Sequence, residues 1–242
     1  FFTELQGKKK LGLSGTPLLN KPKDLLTVLK WLDPFWTDWR IYKEEFANDN
    51  GIVLSLPEVQ DVIRSTVMTR LEQAQVFDME PIERRIVPLE VPPELAPQIE
   101  IELRDHKKSL NLTDYVRARK LIGLNRVQPA INHILAYTSE GEKIVVFCHH
   151  KAVVERITSS LGKSAVSIYG DTSDAGRKAN IDKFNSDPEC QVIVGSIVAM
   201  GMAINLSIAS HILFVEQDWV PGYMEQAEER CSDKNQSMSV LV

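Results

Sequence analysis

The chain has 242 residues, 43% of them hydrophobic and 25% charged, with a formal net charge of −5. That length fits one large domain or two small ones, and the composition is that of an ordinary soluble globular protein. A negative balance excludes a protein that coats nucleic acid over its whole surface, although a local basic track stays open because phosphate contact depends on where the charge sits. Neither a membrane span nor a signal peptide is expected, since the sequence has no long apolar run and FFTELQGKKK lacks the order of a leader. The place of action is therefore read as intracellular. Cys148, Cys190 and Cys231 lie far apart without Cys-x-x-Cys or paired-His spacing, which is the usage of a reducing compartment and points to neither disulfides nor zinc. The chain opens without Met and in mid-pattern, and a longer protein is expected.

In chain order, KKKLGLSG (8–15) reads as the last strand of a sheet, ending abruptly at SGTPLLN. Leu25, Leu29 and Leu32 fall at helical spacing over 23–32, and 33–60 is Trp-rich and irregular. RRIVPLEV (84–91) reads as a strand, PPELAP breaks the chain, and a helical stretch runs from about 95 to 137. From Lys143 the pattern becomes regular. KIVVFC (143–148), AVSIY (165–169), QVIVG (191–195), HILFV (211–215) and MSVLV (238–242) are short β-branched runs, separated by helical stretches such as KAVVERITSSL and DAGRKANIDKFN. Strands buried on both faces and alternating with helices predict an α/β fold with a parallel sheet and right-handed crossovers. Ligands of such sheets sit at the carboxyl ends of the strands, so the loops after Cys148, Tyr169, Gly195 and Val215 are the places to look.

GKS at 162–164 imitates the end of a phosphate-binding loop. Ile157 stands where that loop needs Gly, and the tripeptide closes a helix instead of opening one, so it reads as a helix C-terminus. No Asp-Glu dipeptide occurs either, so the chain by itself is not expected to hold ATP-magnesium. Ser14-Gly15-Thr16-Pro17 offers N–H and O–H groups in a tight loop, or is an ordinary turn. Gly170-Asp171-Thr172-Ser173 with Arg177 suits a phosphate at a helix N-terminus, or is a simple N-cap by Ser173 or Asp174; both can hold. Ser196–Gly201 is a small-residue loop after a strand, or a relaxed turn. His149 and His150 are adjacent and point apart, which argues against a shared metal. The basic stretch Arg104–Arg126 reads as a solvated helical face before a DNA-facing one.

Singly these signals are weak, but their order is specific. Ser-Gly-Thr-Pro, a helical insertion, IVVFCHH, YGDTS with Arg177, the GSIVAMGMAINLS loop and then DWVPGYMEQAEER resemble the motor of the Swi/Snf family within the superfamily two helicases. The resemblance runs from the third helicase motif at Ser14 to the sixth at Gln226–Arg230. VFCHHKAVVERI and the GDTS loop look most like the annealing-helicase (HARP-like) branch, and VMTRLEQAQV (67–76) is similar to that family's arginine-containing segment. The resemblance implies two RecA-like lobes: the end of the first with a helical protrusion at 1–80, and the second at 81–242 with an insertion at about 95–137. It implies a double-stranded or branched DNA substrate gripped without regard to sequence, and ATP with Mg2+ held mainly by an N-terminal RecA-like lobe. Among site residues it implies Arg230 as an arginine finger with Gln226 beside it, and nucleotide contact by Gly201, Gln226 and Arg230. DNA contact falls to Ser14, Gly15, Thr16, His149, Gly170, Asp171, Thr172, Arg177 and Ser196.

The sequence also departs from the family pattern. The family continues Arg-x-His-Arg-x-Gly-Gln, whereas here the second arginine position is Asp233; Ala203 replaces a common Gly and Met200 a small residue. Three readings follow: a DNA translocase that needs its N-terminal part for turnover, a related RNA or restriction-type motor, and a degenerate non-hydrolysing lobe used as a scaffold. Asp233 favours the third.

Overall fold

The computed structural model describes residues 9–14, 22–33, 40, 56–71, 73–76, 83–89, 92–104, 112–200, 204–209 and 211–231. The chain divides into two compact units, 1–78 with 220–222, and 79–219 with 223–242.

In the first unit, helices α1 (Pro22–Leu32) and α2 (Leu56–Thr66) precede a single turn, α3 (Gln73–Val76). Leu25, Leu26 and Leu29 of α1 meet Ile63 of α2 in a small apolar cluster. Each such side chain contributes roughly 1.5–3 kcal/mol by leaving water. Leu25 and Leu29 are the i and i+4 positions of the expected face.

The second unit begins with α4 (Ala96–Arg104), α5 (Leu112–Asn125) and α6 (Val127–Thr138), so the expected single helical stretch is three helices. Then β1 (Ile144–Cys148), α7 (Lys151–Leu161), β2 (Ala165–Ile168), α8 (Asp174–Ser186), β3 (Val192–Ser196), α9 (Ile197–Met200), β4 (His211–Phe214) and α10 (Pro221–Glu229) follow. The strands form one sheet in the order β2-β3-β1-β4, and every pairing is parallel. The expected α/β parallel fold is what the chain adopts.

Strand periodicity divides the core in two. Val145 and Phe147 of β1 face one side, where they pack with Ile193, Phe184 of α8, Met200 of α9 and Ala227 of α10. Ile144, Val146 and Cys148 face the other, against Val153 and Ile157 of α7 and Ile131 and Ile134 of α6. All five residues of β1 are buried, which is why the strand reads as an unbroken apolar run. Gly195 is required by packing, because a Cβ there would overlap the Ile168 carbonyl and the Met200 side chain. Gly162, at φ +60°, ends α7 and opens a 3-10 turn before β2, as GKS at a helix end predicts.

Two expected strands are not strands. Lys9–Ser14 is irregular with Leu13 90% exposed, and Arg84–Leu89 is irregular with Ile86 95% exposed. A strand exists by pairing, and among the described residues neither segment joins the sheet. Apolar alternation alone could not reveal that. MSVLV at 238–242 lies outside the described residues.

Candidate functional site

Because the sheet is parallel, the tips of β1 to β4 at Cys148, Ile168, Ser196 and Phe214 share one edge. After β1, Cys148 is buried, and burial first, then the Glu216 carboxylate, pushes its thiol up, away from reactivity. His149 and His150 turn to different carboxylates. His149 Nδ1 lies 3.3 Å from Asp218, and His150 Nδ1 lies 2.6 Å from Glu216. Both backbone N–H groups also donate to Glu216 Oε2, at 2.9 and 2.8 Å.

After β2, the Thr172 hydroxyl accepts from Tyr169 N at 3.0 Å, and Ser173 caps α8 by accepting from Gly176 N at 3.2 Å. Gly170 is exposed with open space around it. Asp171 is exposed and pairs with Lys151 Nζ at 2.6 Å; that bond holds its carboxyl below the usual range and raises the Lys151 ammonium. Lys151 also lies over the Tyr169 ring, 4.7 Å from its centroid. Arg177 reaches from α8 to the Ala199 carbonyl at 2.8 Å, tying the β2 and β3 loops together, while its Nε is buried without a hydrogen-bond partner among the described residues. Ser196 Oγ accepts from Ala199 N at 3.4 Å and starts α9. Met200 is fully buried, filling the space over Gly195. The edge thus gathers His149, Gly170, Asp171, Thr172, Arg177 and Ser196. Ser14 is exposed and belongs to the first unit, whereas Gly15, Thr16 and Gly201 lie outside the described residues, as do Ala203 and Asp233.

Beyond β4, α10 carries Gln226, and Arg230 stands one residue past its end. The Arg230 carbonyl accepts from Leu206 N at 2.8 Å, which joins the β3–β4 connection to the end of the helix. Glu228 is buried and takes a bidentate bond from Arg84, at 3.2 and 2.5 Å.

Several residues here have roles that the sequence reading did not give them. Arg126 donates to the Val215 carbonyl at 2.9 Å and Arg119 to that of Gln217, with the Arg119 guanidinium 4.3 Å from the Trp219 ring centroid. Two members of the basic stretch therefore turn inward, while Arg117 and Lys120 are solvent-exposed. The available signal was two acids, Glu216 and Asp218, just after one strand and two histidines just after another.

A parallel sheet of this order, with loops gathered at one edge and a Gln/Arg helix after its last described strand, has the architecture of a RecA-like lobe. The helicase conserved C-terminal domain family matches residues 126–234. The chain is 24% identical over 267 residues to the DNA annealing helicase and endonuclease ZRANB3 of Mus musculus, covering 98% of this chain and 25% of that protein. It is 28% identical over 257 residues to the SWI/SNF-related matrix-associated actin-dependent regulator of chromatin subfamily A-like protein 1 of Xenopus tropicalis, covering 97% and 27%. The solved Sulfolobus solfataricus SWI2/SNF2 ATPase core in complex with dsDNA superposes with a TM-score of 0.56 at 21% identity, over 95% of this chain and 55% of that one. The chain thus resembles Swi/Snf-related proteins along nearly its whole length and matches the helicase conserved C-terminal domain over 126–234. It spans about a quarter of the length of these curated relatives.

Proposed function

We propose that the chain is the C-terminal part of an ATP-dependent translocase that moves along double-stranded or branched DNA, acting inside the cell. In this reading 81–242 is the second RecA-like lobe and 1–80 the end of the first. The supporting observation is the shared carboxyl edge of the parallel sheet: the β1, β2 and β3 loops present hydroxyl, imidazole and cationic groups there, and the chain after β4 runs on to Gln226 and Arg230. Such groups hold phosphates and read no bases, so binding is sequence-independent and salt-sensitive. Lys151 joins the DNA-facing set, with Asp171 holding it in place until a phosphate competes for the ammonium.

ATP with Mg2+ supplies the phosphoryl group whose transfer drives movement. This chain's contribution is the Arg230 guanidinium, directed at charge on the transferring phosphoryl, with the Gln226 amide beside it. The phosphate-gripping loop and the acidic box are not in these 242 residues, so the isolated chain is expected not to hydrolyse ATP.

The test is ATP turnover by the full-length protein with duplex DNA, RNA and no nucleic acid. Stimulation by duplex DNA regardless of sequence supports the reading, and preferential stimulation by RNA replaces the substrate. Absence of turnover under all three conditions favours the scaffold reading that Asp233 suggests.

A further inference from the structure

Glu216 is 3% exposed, yet it is the point where three pieces of the second unit meet. Its carboxylate takes the His149 and His150 N–H groups and the His150 ring. The carbonyls on either side of it, of Val215 and Gln217, are held by Arg126 and Arg119. From α5, Gly123 lies so close that a Cβ would overlap the carboxylate. Asp218, two residues on, holds the exposed His149 ring by its Nδ1. The turn that opens α7 and the segment that leads to α10 are thus fastened by both acids to both histidines.

We infer that Glu216 is a positioning residue that couples DNA contact at the β1–α7 turn to the placement of Gln226 and Arg230. This rests on the motor reading above. The turn contributes His149 and Lys151 to the DNA-facing edge, and it is fixed to Glu216 by its own backbone. A shift of the turn therefore carries the Glu216 segment with it, because releasing either N–H leaves a partly buried donor without its acceptor. The segment passes the shift along the chain to α10. Arg119 and Arg126 brace the opposite side, so the segment moves as a piece instead of bending locally. Glu216 itself touches neither DNA nor nucleotide.

The experiment uses the full-length protein and Glu216→Gln, which keeps the shape and a carbonyl acceptor but loses the charge. Asp218→Asn, which weakens the His149 link, is the second variant and keeps the test open if the first folds poorly. ATP turnover is measured with and without saturating duplex DNA, together with the DNA Kd, the ATP KM and the Tm. The inference predicts that Glu216→Gln lowers DNA-stimulated kcat about tenfold, a loss of roughly 1.4 kcal/mol of transition-state stabilisation. DNA-free turnover, DNA Kd and ATP KM stay within about twofold, and Asp218→Asn gives the same pattern at smaller amplitude. Wild-type stimulation in both variants overturns it, as does a parallel fall of DNA-free and stimulated turnover, the mark of a purely architectural role. No stimulation in the wild-type protein overturns the motor reading, and this inference with it.

Discussion

Two polar pairs leave neighbouring residues at the start of α7 in opposite directions. His150 turns inward to the buried Glu216, and Lys151 turns outward to the exposed Asp171, each at 2.6 Å. Equal distances conceal different physics. The inner carboxylate is buried and also satisfies two backbone donors, so its loss leaves them without that acceptor. The outer pair is screened by solvent, and either partner can be rehydrated or exchanged for a phosphate at little cost. One pair fixes the edge of the sheet, and the other lies on its solvent side.

Breaking the inner pair has the largest expected effect on stability. Glu216→Ala removes the acceptor for three donors and is predicted to destabilise the chain by on the order of 3 kcal/mol or more, read as a fall in the urea midpoint. Gly123→Ala presses a methyl group against the same carboxylate from α5, and about 1–3 kcal/mol is expected on the same measurement.

A second buried imidazole sharpens the contrast, because among the described residues no carboxylate pairs with it. His211, 2% exposed at the start of β4, meets His133 Nε2 to Nε2 at 2.9 Å and stacks on Tyr137. Burial first, then the charge of His133, lowers its pKa to about 4. The unfolded chain then binds more protons than the folded one between about pH 6.5 and pH 4. Stability is full above that window, falls by up to about 1.4 kcal/mol per pH unit as pH drops through it, and levels off below. The difference in urea midpoint between wild type and His211→Phe, followed from pH 7 to pH 4, should narrow as the wild type loses this contribution.

The outer pair gives the smallest change. Lys151→Ala is expected to leave the Tm unchanged within error. It should weaken duplex binding severalfold and reduce the salt slope by about one, whereas Asp171→Asn should tighten binding by freeing the ammonium. Competition binding across a salt series checks both.

The same contrast explains what was legible in the sequence. The sheet was, because β1 and β3 are buried on both faces and their unbroken β-branched runs are a local property. The boundaries of α7 and α8 followed from the caps and glycines beside them, with Gly162 and Ser173 in the expected roles. Arg84–Leu89 and Lys9–Ser14 misled because pairing is not local, and apolar alternation has no way to signal a missing neighbour. The loops at the carboxyl ends of β1, β2 and β3 were located through the strand pattern and their small hydroxyl residues. The inner network was not, since Glu216 and His150 are 66 residues apart and only the β1–β4 pairing brings them together. Arg119 and Arg126 were counted as solvated charge for the same reason, because a sequence does not say which arginine of a basic helix finds a buried carbonyl.

The central claim is that this lobe places Arg230 to act on a transferring phosphoryl group. It is tested most directly by ATP turnover of the full-length protein at saturating duplex DNA, comparing wild type with Arg230→Ala and Arg230→Lys. The account predicts that Arg230→Ala leaves ATP binding largely intact and lowers kcat on the order of 10³-fold, and that Arg230→Lys rescues poorly because an ammonium lacks the planar fork. Retention of more than about half of wild-type kcat by Arg230→Ala, a loss far too small for a finger, would contradict it and make Arg230 ordinary helix-end surface.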